Sequence, residues 1–434
     1  MCQRITGSHD VQSAGAFYPS GICLAVLTNS RNPDIVTTVP IHPHQSTRNG
    51  AARQQTLRAQ NLALVAYAVT NSAEPLSRAE VASATGLTRA TVSTLVDRLI
   101  LAGILTELAP VATGGAGRPA VPLVPAARTL VGLGLQVDVD YLAACLVDLT
   151  GETVVSQQIP GDFRDSDPVF VLAQLADLAD KMVERAEELG LRIAGARLAL
   201  PGLVDTELGI LRIAPNLGWS EVNIADHIQL PGIPLSISND AKLAALAEVD
   251  AGVTDSFVYV SGDLGIGGAI VVNGELFGGA HGWSGEFGHV IAEANGPQCG
   301  CGAYGCLETI AGKAAIMTNA GLSPTAPIIA LIDLLDADDA RAKAALAAAN
   351  KAFAAVLSDI INVLDLPTII IGGELAPLLP YLHDDLMRQI KLRVLSAPYA
   401  SLRIQASGIG SNQAAIGGAR EILREVIGNP ATWC

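Results

Sequence analysis

The sequence predicts a bilobal α/β body with a winged helix-turn-helix ahead of it. Three observations predict this. Strand-like and helix-like stretches alternate through two strand-rich halves. Before them, two short helical patterns separated by Gly86-Leu87-Thr88 are followed by a glycine-rich loop between apolar runs. Finally, charge divides unevenly between these parts.

The chain has 434 residues, half of them hydrophobic, which is enough for a sizeable core in two or three units. Its net charge is −15. Between Arg48 and Arg128, however, eight arginines face four acids with no lysine, a surplus of four positive charges that leaves about −19 for the rest. A mildly basic module therefore precedes an acidic body, as expected when a nucleic-acid-binding part is joined to a part with another task. No apolar run is long enough for a membrane span, and a signal-peptide pattern is missing from the start, so a cytoplasmic protein is expected. Of seven cysteines, three cluster beside a histidine and four are scattered, which fits a reducing compartment better than a disulfide framework.

Residues 1–50 have no sustained period and are rich in Ser, Thr, Asn and Pro, predicting a disordered tail. His42 and His44 in it read as solvated histidines rather than ligands. A DNA-binding domain is expected over 51–125. Leu62, Leu64, Val65 and Val69 predict a first helix. Ser77-Arg78-Ala79-Glu80 is a capping box that starts a second, which Gly86 ends. Thr88 caps a third, in which Val92, Leu95, Val96, Leu99 and Ile100 share one face. Its other face, Arg89, Ala90, Thr91, Ser93, Thr94 and Arg98, is short, polar and basic, which suits close approach to a major groove. An ordinary amphipathic surface helix has the same pattern; the capping box, turn, wing and local charge favour DNA. Strands over 104–108 and 121–124 flank Gly114-Gly115-Ala116-Gly117-Arg118-Pro119, a wing that would present Arg118 to the minor groove or to solvent. Three prolines, 119, 122 and 125, lead into the body over 126–434. Its expected strands include 130–135, 141–149, 195–200, 235–238, 257–261, 268–272 and 369–373, with helices over 168–189, 340–364 and 413–426.

His289, Cys299, Cys301 and Cys306 are the sharpest chemical feature. Three thiols within eight residues, separated by glycines and preceded by a histidine, match a tetrahedral Cys₃His zinc site with every position filled, hence structural. Unrelated thiols or a disulfide are the alternatives; Cys299 and Cys301 are too close in sequence for an unstrained bridge.

Glu286-Phe287-Gly288-His289 followed by Cys299-Gly300-Cys301-Gly302-Ala303-Tyr304-Gly305-Cys306-Leu307-Glu308 resembles the signature of the ROK family, which comprises sugar kinases and sugar-responsive repressors on an actin-like ATPase fold. Pro201-Gly202-Leu203-Val204-Asp205, Ala214-Pro215-Asn216-Leu217-Gly218-Trp219, Ser238-Asn239-Asp240-Ala241 and Gly265-Ile266-Gly267-Gly268 extend the match over roughly 130–425. The winged segment resembles that of the family's repressors, whose wing also carries Gly-Arg-Pro. The resemblance implies that Asn239, Asp240, Glu286, His289 and Glu308 contact a sugar, although Asp240 could instead cap a helix. It also implies a second role for His289, whose ring would join metal to pocket.

The family's kinases carry Asp-x-Gly-Gly-Thr in the first hairpin; here the matching stretch is Gln136-Val137-Asp138-Val139-Asp140. In the second phosphate stretch, Asp263 and Leu264 replace Gly and Thr. Carboxylates where phosphates must approach oppose ATP binding. Gly372-Gly373, which matches the adenosine-contacting pair, is equally explained as a turn. The expectation is a non-enzymatic regulator of the branch resembling xylose and N-acetylglucosamine repressors. It would bind operator DNA as a homodimer or dimer of dimers and take a monosaccharide or sugar phosphate as effector. A sugar kinase with an appended DNA-binding domain is the alternative, and a regulator without ligand response is a third.

Overall fold

The computed structural model of the chain describes residues 23–29, 32–41, 49–110, 120–252, 256–410 and 412–434. His42, His44 and Arg118 lie outside them. Residues 1–60 and 61–434 form two compact units. In the first, β1 (Cys23–Asn29) and β2 (Asn32–Ile41) pair antiparallel. Part of the expected tail is thus a hairpin. Both runs are rich in Val, Ile, Leu and Thr, which favour a pleated backbone.

In the second unit, the part of α1 (Asn49–Thr70) beyond Gln60 contributes a buried face of Leu62, Val65, Ala66 and Val69. After β3 (Leu76–Ser77), the capping box forms as predicted: the Glu80 carboxylate accepts from the Ser77 amide at 2.8 Å and the Ser77 hydroxyl accepts from the Glu80 amide at 3.4 Å. It opens α2 (Arg78–Thr85), which ends at Gly86 in the left-handed conformation. Thr88 caps α3 (Arg89–Leu101), whose Val92, Leu95, Val96 and Leu99 are buried. Strands β4 (Leu105–Glu107) and β5 (Pro122–Pro125) complete a three-stranded sheet in the order β3-β5-β4. Arg78 ties this module together, pairing with Asp97 at 2.5 Å and Glu107 at 3.1 Å.

The first lobe contains β6 (Leu130–Val137), β7 (Tyr141–Asp148), β8 (Thr153–Pro160), α4 (Pro168–Glu188) and β9 (Arg192–Leu200). A small antiparallel sheet of β10 (Leu203–Asp205), β11 (Ile210–Ala214) and β12 (Trp219–Asn223) follows, then β13 (Leu235–Asn239) and α5 (Asp240–Asp250). The main sheet runs β13-β9-β6-β7-β8, with β6, β9 and β13 parallel and β7 and β8 antiparallel. Every residue of β6 is buried because both faces are covered. Val131, Leu133 and Leu135 join the core against α4, while Gly132 and Gly134 lie beneath the C-terminal helix.

The second lobe repeats the plan with β14 (Phe257–Gly262), β15 (Ile266–Val272), β16 (Glu275–Leu276), the helices α6 (Glu308–Ala311), α7 (Lys313–Ala320), α8 (Ile329–Asp336) and α9 (Ala340–Leu364), then β17 (Thr368–Gly372), α10 (Leu379–Arg393) and β18 (Arg403–Ala406). Its sheet order is β16-β15-β14-β17-β18. Helix α9 is long and apolar enough to cross a membrane, but 61% of its most apolar window is buried inside the lobe, as expected of a core helix. Finally α11 (Gln413–Gly428) returns to the first lobe, packing on β6, β9 and α5. Leu243 and Ala244 of α5 share a core with Phe257, Tyr259 and Ile370 of the second sheet, so α5 is the packed seam between lobes.

Candidate functional site

The seam places strand ends and turns from both lobes around one cleft of about 640 Å³, part of it open to solvent. Asn239 ends β13 and caps α5: its side-chain oxygen accepts from the Lys242 amide at 3.1 Å and its side-chain nitrogen donates to the Gly202 carbonyl at 3.1 Å. Asp240 therefore occupies the first helical position, where one carboxylate oxygen accepts from the Ala241 amide at 2.7 Å. The cap that the sequence offers as an alternative for Asp240 falls on its neighbour. Glu286 precedes a 3₁₀ turn, Phe287–His289, that His289 ends, and Glu308 begins α6. All five residues that the family signature picks out line this cleft.

Glu308 is held from three sides. Its Oε2 accepts from the Asn216 side chain at 3.4 Å and from the Ile266 amide at 3.1 Å, and its Oε1 lies 3.9 Å from Cys299 Sγ. Gly265 leaves no room for a side chain here, since a Cβ would lie 2.0 Å from Glu308 Oε2. Burial dominates the electrostatics. It pushes Asp240 up to about 7, with the charges of Asp263 and Glu286 adding to it. Asp138 is raised well above the usual carboxylate range by burial and then by Asp263, Asp240 and Asp140. Glu286 is raised by burial, opposed by His289 and Lys242. A carboxyl group that titrates near neutral pH, as Asp240 does, can donate as well as accept hydrogen bonds, which suits a ligand bearing hydroxyls.

The positions matching the kinases' phosphate stretches are internally occupied. Gln136 is 3% exposed; its side-chain nitrogen donates to Tyr141 Oη at 2.8 Å and to Asp138 at 3.3 Å, and its oxygen accepts from the Ala415 amide at 3.3 Å. Asp138, Asp263 and Leu264 line the cleft. Asp140 is raised from its usual value by burial and by the Glu374 charge, with Lys313 opposing. Lys313, 2% exposed, pairs with Glu374. Sequence reasoning missed this pair. The available signal was a lysine opening a helix, against the macrodipole, which is a costly place for a cation without a partner.

On the far side of His289 the predicted ligand set converges. One donor atom each from His289, Cys299, Cys301 and Cys306 lies within 4.8 Å of all the others, so the group could hold a metal ion. His289 Nδ1 is 3.6 Å from Cys299 Sγ, and Cys301 Sγ is 3.7 Å from Cys306 Sγ. Donors on a tetrahedral zinc lie about 3.5 to 3.8 Å apart, so the residues fit. Gly305 makes the loop possible: its φ is +73°, and a Cβ would collide with the Glu293 carbonyl at 1.6 Å.

On α3, Arg89, Ala90 and Thr94 are exposed on one face, and Thr91 and Ser93 are half-buried beside them. Arg98 is exposed at the other end, where its guanidinium donates to the Cys434 carbonyl at 3.4 Å. Of the predicted DNA-facing residues, Arg89, Ala90, Thr91, Ser93 and Thr94 lie side by side at the start of α3, Arg98 reaches toward the C-terminal residue, and Arg118 lies outside the described residues.

Two α/β lobes thus enclose a polar cleft with a cysteine–histidine loop beside it, and a helix-turn-helix with a small sheet packs on the first lobe. The family model described as "ROK family" matches residues 132–425, and the chain belongs to that family. It is 28% identical over 348 residues to the xylose repressor of Bacillus subtilis (strain 168), covering 79% of this chain and 90% of that protein. Its fold is similar to a crystal structure of a ROK family transcriptional regulator, a homologue of the Escherichia coli MLC protein, with TM-score 0.71, 25% identity and coverage of 86% and 97% of the two chains. The body alone is similar in fold to a ROK family glucokinase from Streptomyces griseus in complex with glucose and AMPPNP, with TM-score 0.58, 21% identity and coverage of 67% and 98%.

Proposed function

We propose that the chain is a sugar-responsive transcriptional regulator that binds operator DNA through α3 and the wing and takes its effector in the interlobe cleft. The observation that carries this is the convergence of Asn239, Asp240, Glu286, His289 and Glu308 on one cleft in a chain that also presents a recognition helix. A hydroxyl-rich ligand meets carboxyl groups able to donate or accept and one amide, an arrangement that rejects analogues with a missing or inverted hydroxyl. Likeness along nearly the full length of a xylose repressor supports regulation over catalysis. Against phosphoryl transfer stand the committed hydrogen bonds of Gln136 and the acids Asp138 and Asp140.

The cysteine–histidine cluster is assigned to zinc. Cys299, Cys301, Cys306 and His289 would hold it through three thiolates and Nδ1, a closed set that braces the loop and offers no position to substrate. His289 would then present Nε2 to the cleft with its tautomer fixed, so the metal orients an effector contact. The DNA-binding module is assigned to 51–125 and the sensing body to 126–434; a homodimer reading two half-sites in the cytoplasm completes the reading.

Fluorescence anisotropy at one salt concentration, with and without sugar, tests this. Arg89→Ala should weaken operator binding by roughly 1 to 3 kcal/mol if it makes a bidentate base contact. Glu286→Ala should keep operator affinity and lose the sugar response. ATP-dependent sugar phosphorylation that disappears in Asp240→Asn would replace this reading with the kinase.

A further inference from the structure

Five carboxylates, Asp138, Asp240, Asp263, Glu286 and Glu308, line the cleft, and none of its lining residues is lysine or arginine. Two buried ammonium groups lie nearby, and both are committed: Lys313 pairs with Glu374, and Lys242 donates to the Gly282 carbonyl. Several of the backbone amides at the cleft, the other common means of holding an anion, are committed too. At the N-terminus of α5 the Ala241 amide is taken by Asp240 and the Lys242 amide by Asn239. In the β14–β15 turn the Ile266 amide is taken by Glu308 at 3.1 Å, and beyond β17 the Glu374 amide donates to Asp263 at 3.3 Å. The Leu264 side chain reaches from that turn to the first-lobe core, adding apolar wall where a phosphate would need a donor.

A phosphate monoester brings about −1.5 to −2 charge and acceptor oxygens only. Here it would meet five clustered carboxyl groups in a low-dielectric seam, whose ionised members repel a dianion, with each of those amides already bonded, whereas an uncharged sugar hydroxyl can donate to an ionised carboxylate and accept from a protonated one. We propose that the cleft selects an unphosphorylated sugar and excludes its phosphate ester, through Asp138, Asp240 and Asp263 in its lining. The proposal rests on the reading of the cleft as a sugar site.

The test uses the full chain with its metal and titration calorimetry against six probes: glucose, xylose and N-acetylglucosamine, and glucose 6-phosphate, xylose 5-phosphate and N-acetylglucosamine 6-phosphate. One free sugar is expected to bind, with its phosphate at least roughly a hundredfold weaker. A phosphate that binds as tightly as its parent sugar, or more tightly, overturns the exclusion and leaves the sugar-site reading standing. Failure of all six removes the sugar-site reading, and the exclusion falls with it. In Asp138→Asn and Asp263→Asn, the ratio of phosphate to parent dissociation constants should shrink by about tenfold. Two variants are used so that misfolding of one, seen in its melting profile, does not decide the result. An unchanged ratio in both well-folded variants refutes the carboxylates as the cause.

Discussion

At the scale of single residues, Asn239 and Asp240 show how adjacent polar side chains divide two tasks. The sequence places both at a helix start, but not which one caps it, because either can reach an orphan amide. The strand-to-helix geometry gives the cap to Asn239 and turns Asp240 toward the cleft. The cost of that position appears in its titration. Burial raises Asp240 to about 7, above the ordinary value of 3.8 that it would have when unfolded. Between those values the folded state holds more protons than the unfolded state, so the contribution of this group to stability falls as pH rises from about 4 to about 7. Asp240→Asn should remove that part of the decline. Its melting temperature relative to the parent should be higher at pH 8 than at pH 5; an equal difference at both would show that Asp240 is not the titrating group.

At the scale of elements, the most legible pieces were those whose signal is local. The capping box, the Thr88 cap and the periodicity of α3 are written in a few consecutive residues, and each forms. Ile100, expected on the buried face of α3, is only half-buried. The cysteine–histidine loop is local as well, with its candidate ligands packed into residues 289–306 and Gly305 supplying a left-handed turn. The purified protein should contain about one zinc per chain, and Cys301→Ser should lose it and lower the melting temperature of the second lobe. Elemental analysis together with calorimetry checks this; a metal-free parent as stable as the variant would remove zinc from the account. Strand β3 and the small sheet β10-β11-β12 were not predicted, because strands of two to five residues carry too few positions for alternation to be read.

At the scale of the whole molecule, the winged helix and the first lobe share a core. Leu62, Leu99, Leu105 and Leu123 belong to one buried cluster with Leu130, Val147, Leu423 and Val426. Polar links cross the same boundary: the Thr129 hydroxyl donates to the Gly103 carbonyl at 2.6 Å, and Arg192 donates to the Ala102 carbonyl. A change in the lobe therefore has a packed route to α3. Leu423→Ala on α11 should cost about 2 to 5 kcal/mol. It should also speed hydrogen exchange in α1 and α3 together with β6; acceleration confined to the lobe would show that the winged helix is energetically separate.

Local chemistry in the sequence determined the helix-turn-helix, the metal ligands and, through the family signature, the residues of the cleft, because caps, periodicities and ligand spacings act over a few positions. Tertiary structure alone decided that the Ile266 and Glu374 amides are spent on Glu308 and Asp263, that Lys313 is spent on Glu374 and Arg78 on Asp97 and Glu107, and that α11 closes the core of the winged helix. Those outcomes depend on partners from 19 to about 360 residues away, brought together by sheet order and the return of the C-terminal helix, and no local pattern encodes a distance of that kind.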